Sequence, residues 1–470
     1  MKKFWEKHDL VKLSGLMVLI TVLMTWVFPK GYYQGELVVE EITRVGIFDF
    51  FTYGLLGMYY FTVLVTFMFV LGGFYQVLSK TGGYQKLTES IAKKFNGKEI
   101  IFVVSVSFVI AALTAIMNEY FVLLAFLPFI ITILSKMKLD KITGFVTTFG
   151  SVLIGILGTV YSSKIVGQSI YQLEQAGITV GFNDYLWVKL VIFAVAFIAF
   201  SVFNVLHVSK TLKAKKADEI EDLFVTEEVN KKNKVWPIAL IFGLFALVTI
   251  MAYLPWEELF NVTFFKDLVV KMNEAEVFGS PIWSYIFGSV SEFGAWDVFG
   301  VQVVMLITTL IVKWVYKIST NDFITAYGEG LKRVGKLVVL LLMAYLVLEF
   351  AVMYPVIPVI TDWLMNLSKG FNVFIGVIAG LFTSLFSVEY QYGFNLVGAA
   401  LATNYAAAAK QITILFQATY GLASLFVPSS VILLMGLSYL GISYKEWFKY
   451  IWKFLLIMFA VIVILMLIIF

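Results

Sequence analysis

Between Ile100 and Ser135 the chain carries one charged residue, Glu119, in an otherwise apolar run, and lysines flank it at both ends: Lys98 before it, and Lys136, Lys138 and Lys141 after it. As one straight helix this stretch would reach roughly 55 Å, against a hydrocarbon core of about 30 Å. Basic loops collect on one side of a membrane, so a stretch with lysines at both ends enters and returns on the same side. Its polar interruption, Thr114-Ala-Ile-Met-Asn118-Glu119-Tyr120, has none of the Gly, Pro or Ser of a water-exposed turn. The pattern predicts a re-entrant hairpin with its tip inside the protein. Two full spans joined by a tight outer turn is the other solution.

The same reading extends down the chain. Further apolar stretches lie at residues 13–28, 51–78, 144–161, 186–206, 235–254, 298–316, 337–354, 371–386, 393–409, 412–440 and 450–470. With 60% hydrophobic residues, 14% charged residues and a mean hydropathy of +0.90, the apolar surface exceeds what a water-soluble core can hide. Nothing alternates with a period of two over the whole chain, so helices and not a barrel are expected to span the bilayer. We expect an all-α polytopic membrane protein with ten to twelve crossing or entering segments.

With the N-terminus placed in the cytoplasm, 27 of the 35 Lys and Arg residues fall on the inside. The outer loop 255–297 instead carries Glu257, Glu258, Asp267, Glu274, Glu276 and Glu292. Its acids and its Trp256, Trp283 and Trp296 read as a solvated interfacial belt, remote from substrate choice. The bias of the basic residues toward Lys, with only Arg44 and Arg333 as arginines, suggests an AT-rich bacterial genome and hence the inner membrane. The net charge of +4 leaves no basic tract for nucleic acid, and the absence of Cys excludes disulfides and thiolate chemistry.

A Lys-rich stretch, residues 210–234, divides the chain into a first half, 1–209, and a second half, 235–470, and reads as a solvated cytoplasmic connector. The halves echo one another. Asn118-Glu119-Tyr120 is answered by Val388-Glu389-Tyr390, and Gly155-Ile-Leu-Gly158-Thr-Val-Tyr-Ser162-Ser163 by Gly421-Leu-Ala-Ser-Leu-Phe-Val-Pro428-Ser429-Ser430. A second hairpin, near 371–409, would then enter from the outside, making the repeat inverted.

At these residues the chain resembles the four-carbon-dicarboxylate anaerobic carrier family, which also contains bacterial basic amino acid (arginine/ornithine) antiporters. The resemblance rests on Gly72-Gly73-Phe with Lys80-Thr-Gly82, the Asn118-Glu119 hairpin, Gly155-Ile-Leu-Gly158-Thr, Phe416-Gln417, Val427-Pro428-Ser429-Ser430 and Gly441-Ile-Ser-Tyr444-Lys-Glu-Trp447. It implies two inverted repeats, two re-entrant hairpins, two broken helices and a homodimer. The chain departs from the pattern at both tips: Phe386-Ser387-Val388-Glu389-Tyr390-Gln391 stands where the family has a Pro-Ser-Ser-Ser-Gly-Gln-like run, and Glu119 stands alone where two adjacent acids are usual.

A charge at bilayer depth costs roughly 2.5–3.5 kcal/mol, so each such acid needs a partner or a function. Glu119 and Glu389 are candidates for substrate binding or ion coupling, against the alternative of interfacial acids at helix turns. Glu349, deeper in its helix, could equally be structural. Asn118, Gly158, Thr159, Ser162, Ser163, Ser429 and Ser430 suit unwound backbone that lines a cavity, or else ordinary helix packing. Asn395, Asn404 and Gln417 are candidates for amide contacts. Lys164, the basic residue next to the first expected break, could hold a substrate carboxylate or neutralise Glu119, but reads first as a lysine that snorkels to the outer interface.

No cofactor or metal site is expected. His8 and His207 lie at membrane edges, and the loop Gly330-Leu-Lys-Arg-Val-Gly335-Lys336 has Leu337 where a phosphate-binding loop needs Ser or Thr. These residues point to a secondary transporter working by alternating access between the hairpin tips. Acids at the tips and almost no buried Lys or Arg favour a basic amino acid, exchanged or imported with sodium or protons. The alternatives are an ion-coupled carrier of dicarboxylates or peptide-like anions, and a non-transporting membrane scaffold.

Overall fold

The computed structural model describes residues 9–214, 219–224, 234–288 and 290–470; the N-terminal Lys2, Lys3, Lys7 and His8 and most of the 210–234 connector lie outside them. Among the described residues, eight helices are long and apolar enough to cross a membrane: Asp9–Val27, Thr62–Ser79, Glu99–Ile116, Leu186–Lys213, Trp236–Tyr253, Val298–Val315, Thr320–Met353 and Tyr444–Ile469. Helices satisfy their own backbone groups in lipid, and side chains cap the first turns of three of the eight. The Asp297 carboxylate accepts from the Phe299 and Gly300 N–H groups, and the Ser319 and Ser443 hydroxyls accept from the Asp322 and Glu446 N–H groups.

Two apolar stretches differ from expectation. Residues 51–78 are two helices, Ile47–Tyr60 and Thr62–Ser79, separated at Phe61, whose backbone leaves the helical region. The stretch expected at 337–354 is the end of a 34-residue helix that begins at Thr320, because the Ser319 cap and good helix formers carry it through the polar first turns. A small antiparallel ribbon, Gly31–Gln34 with Glu36–Val39, was not foreseen; it turns at Gly35, where φ is +78° and glycine is favoured. The loop 255–297 contains the short helices Trp256–Phe260, Phe264–Glu274 and Ile282–Phe287.

Both hairpins form, and they enter from opposite ends. The first runs through Glu99–Ile116, a tip at residues 117–119, a 3-10 turn Tyr120–Ala125 and Leu127–Lys136. Its base is tied to one end of the bundle. The Ser135 hydroxyl donates to the Ile220 carbonyl (2.9 Å), and Ile220 lies with Leu440 against Gly144, one short turn before Tyr444. The second hairpin begins with Val373–Phe386, and Phe371 at its base stacks on Phe470 (4.5 Å between ring centroids). Tyr444 and Phe470 mark opposite ends of a 26-residue helix, about 39 Å apart. The first hairpin's leading arm alone covers about 27 Å, so its tip lies deep, with Met117 fully buried.

The two broken helices also form. The first runs Lys141–Leu157, with a π-turn at Val146–Gly150, breaks over residues 158–162 and resumes at Ser163–Gly167 and Gln168–Gln175. The second runs Ala409–Ser424, breaks over 425–430 and resumes at Val431–Leu440. They cross where Gly421 meets Leu157: a Cβ on Gly421 would lie 2.3 Å from the Leu157 Cα. Gly155 serves the same purpose against the first hairpin, where a Cβ would lie 2.5 Å from the Ala111 carbonyl oxygen. Because the obstacle at Gly421 is backbone, Gly421→Ala is expected to cost about 1–3 kcal/mol. A thermal melt of the purified variant in detergent checks this; an unchanged melting temperature would show that the crossing can spread without penalty.

Candidate functional site

The first tip is organised by its backbone. Asn118 donates its N–H to the Tyr253 carbonyl (3.0 Å) and its amide Nδ2 to the Gly294 carbonyl, while its Oδ1 accepts from the Ser163 hydroxyl (2.5 Å). Gly294 belongs to the loop 255–297, which thus reaches the first tip through its backbone, while Glu257, Glu258, Asp267, Glu274 and Glu276 stay exposed. Glu119 is extended (φ −135°, ψ 107°) and caps the following 3-10 turn, its Oε1 accepting from the Phe121 N–H (3.0 Å). That leaves Oε2 free to face the break of the first broken helix. The break is held against the hairpin by the Ala115 carbonyl, which accepts from the Val160 and Tyr161 N–H groups (2.8 and 3.1 Å).

Lys164 stands in that opening and joins the two halves. Its Nζ lies 2.8 Å from Glu119 Oε2 and 3.0 Å from Glu389 Oε2, and 5.1 Å from the centroid of the Phe121 ring. The Tyr345 hydroxyl donates to the other Glu389 oxygen, Oε1 (2.7 Å). Both acids are buried, at 7% and 5% exposure. The snorkelling expected of Lys164 does not occur: two carboxylates inside the protein outweigh the distant interface, since opposite charges in a low-dielectric site attract far more strongly than in water. The triad carries one positive and two negative formal charges.

The second tip is fixed by neutral groups. Tyr420 donates to the Val388 carbonyl (3.1 Å), and the Ser429 hydroxyl to the Leu385 carbonyl (2.6 Å), tying the second broken helix to the hairpin. Gln417 donates to the Ser169 Oγ (3.2 Å), which pairs with the Tyr390 hydroxyl (2.7 Å), and the Gln417 Oε1 is buried without a partner. The Thr159 and Ser162 hydroxyls at the first break are likewise buried and unpartnered. Buried polar atoms are normally satisfied, so these three are available to a ligand. Ser430 is buried at the second break.

Other expected residues lie elsewhere. Asn395 and Asn404 are exposed on the second hairpin's returning arm, so neither lends an amide to the tips. Gly158 faces the helix Leu186–Ala214, where a Cβ would meet the Phe193 Cα at 2.6 Å; it serves packing at the break. Glu349 is buried one helical turn beyond Tyr345, with Oε1 unpartnered, and does not touch Lys164. The view that almost no Lys is buried also fails at Lys189, 3% exposed, which donates to the Val160 and Phe182 carbonyls (3.3 and 2.6 Å) and so satisfies a carbonyl released by the break. Tyr345, Ser169 and Tyr390 were missed, because a tyrosine or serine in an apolar helix carries no pattern of its own. Lys164 had a signal: two buried acids in facing tips need a cation, and in the sequence it directly follows the first break.

Among the described residues no group of three or more His, Cys, Asp or Glu could hold a metal ion. A sequence profile for the C4-dicarboxylate anaerobic carrier family matches residues 11–470. No curated protein matches the chain. Among solved structures, the chain is similar to the Alcanivorax borkumensis YdaH transporter, described as having an unusual topology, at 12% identity and a TM-score of 0.40, over 98% of this chain and 97% of that one.

Proposed function

The chain belongs to the C4-dicarboxylate anaerobic carrier family, and on that premise we propose that this secondary carrier moves C4 dicarboxylates, coupled to protons, through the site between the two tips. The observation that carries the reading is the position of Lys164 between Glu119 and Glu389. A basic amino acid would have to bring a second cation to a place that an ammonium already fills. A dicarboxylate needs a cation, and Lys164 is the one at the tips.

Charge balance then ties substrate to protons. A dianion entering beside two ionised carboxylates would be repelled, and like charges at close range favour neutralisation. Protonation of Glu119 and Glu389 removes that repulsion and releases the Lys164 ammonium for a substrate carboxylate. The unpartnered hydroxyls of Thr159 and Ser162 and the amide oxygen of Gln417 offer further polar contacts. Gly294, through Asn118, sets the position of the first tip without touching substrate. Alternating access would carry the site between the two faces, with the Lys-rich end cytoplasmic in a bacterial inner membrane and the chain acting as a homodimer.

The test is uptake of radiolabelled succinate by proteoliposomes under an imposed proton gradient. Unlabelled C4 dicarboxylates are expected to compete, and arginine, ornithine and lysine are not. Competition by the basic amino acids alone would restore the cationic-substrate reading.

A further inference from the structure

The connector between the halves is not the fully solvated strand its composition suggests. Its described stretch at residues 219–224 is inserted into the Lys-rich end of the bundle, with Ile220 and Phe224 buried at 5% and 3% exposure. Ile220 fills the space in front of Gly144, at the start of the first broken helix, and its carbonyl accepts from Ser135 on the first hairpin. Phe224 stacks on Tyr75 (5.7 Å between ring centroids) and meets Tyr439, at the end of the second broken helix, at 6.2 Å. The Arg333 guanidinium donates to the Leu223 carbonyl. Glu219 bridges to Asp140 through the backbone, and Asp140 pairs with His207 (2.7 Å).

These contacts fall on two groups of elements. Ser135, Gly144 and Tyr439 belong to the first hairpin and the two broken helices, which carry the candidate site. Tyr75 and Arg333 belong to Thr62–Ser79 and Thr320–Met353, which pack backbone to backbone where a Cβ on Gly72 would lie 2.5 Å from the Gly330 carbonyl oxygen. One six-residue segment thus joins the site-bearing elements to a rigid helix pair, on the side that has to open for release. Asp222 is drawn in with it, and burial pushes its carboxyl above the usual carboxylate range, against the Thr132 hydrogen bond, the Phe224 N–H and the charges of Lys136 and Arg333. Burial of the two apolar side chains favours docking, and the conformational entropy lost by the tethered segment offsets part of that. A contact of this size can hold one state and still be broken in each cycle.

We propose that residues 219–224 form a latch, which holds the Lys-rich end closed when docked and must leave its socket for the substrate site to open to that side. The proposal rests on the alternating-access reading above, and it adds the element that gates one face. A structural staple that stays docked throughout the cycle is the opposing view.

The natural absence of Cys makes the latch directly testable. A Ser135→Cys/Ile220→Cys pair can be oxidised with copper phenanthroline and reduced with dithiothreitol in proteoliposomes, with each single variant as a control. Once the cross-link is seen on a gel, succinate uptake is expected to fall at least tenfold and to return on reduction. Wild-type uptake with the cross-link intact would overturn the latch. A second readout needs no transport: Ile220→Cys alone should react slowly with an impermeant maleimide applied at the Lys-rich face, and at least tenfold faster when Phe224→Ala is added. Equal labelling rates would also overturn it. If the wild-type protein carries no dicarboxylate, the functional reading fails, while the labelling comparison still decides the latch.

Discussion

Lys164→Gln is expected to reduce dicarboxylate uptake by about 100-fold or more, because removing one partner of a buried ion pair costs roughly 3–5 kcal/mol and every 1.4 kcal/mol is tenfold. The loss has two parts: the substrate loses its cationic anchor, and Glu119 and Glu389 are left facing each other without compensation. Lys164→Arg keeps the charge but is longer and planar, and should recover only part of the rate. A triple variant with Lys164, Glu119 and Glu389 all replaced by Gln separates the two parts. Neutralising a whole buried charge cluster is often harmless to folding, so this protein should melt near the wild-type temperature and still fail to carry succinate. Rapid uptake by the triple variant would show that Lys164 is a structural counter-ion only.

How far such a centre can be read from sequence depends on what each residue type announces. Lengths and flanking charges of apolar runs are bulk properties, and lipid enforces them, so the first hairpin was legible from Lys98, Lys136 and the run between. The breaks were legible through the paired runs Gly155 to Ser163 and Gly421 to Ser430, whose first glycines sit one turn ahead of each break where backbones touch. Lys164 was legible in identity but not in direction. The break at 158–162 separates it from the preceding helix, so helical spacing does not carry across to say where its side chain goes. Tyr345 was silent, since its neighbours Leu341, Ala344, Leu348 and Phe350 are buried apolar residues like those of any span. Composition misled at the connector, where lysines on both sides hid the apolar Ile220 and Phe224 that dock.

The second large effect concerns coupling. Glu119→Gln and Glu389→Gln each imitate a protonated acid, so each variant should bind succinate with less dependence on pH. Linkage makes this quantitative: the slope of log Kd against pH counts the protons taken up on binding, and each substitution should lower that slope by up to about one. Succinate affinity in the wild-type protein should weaken as pH rises, since binding that takes up protons is disfavoured as their concentration falls. The two sites differ in support, because Glu119 also accepts from the Phe121 N–H and Glu389 from Tyr345. Glutamine can still accept either bond through its amide oxygen, which keeps the tips in place. In proteoliposomes each variant should retain exchange of internal for external succinate and keep only part of its acceleration by a proton gradient, because exchange needs a neutralised site while the one remaining acid still cycles a proton. Intrinsic tryptophan fluorescence or calorimetry over the pH series gives the slopes, and counterflow assays give the split between exchange and net uptake. If both variants keep the wild-type slope and the wild-type response to the gradient, the acids do not carry the coupling proton. A slope in sodium concentration in place of pH would then assign coupling to that ion.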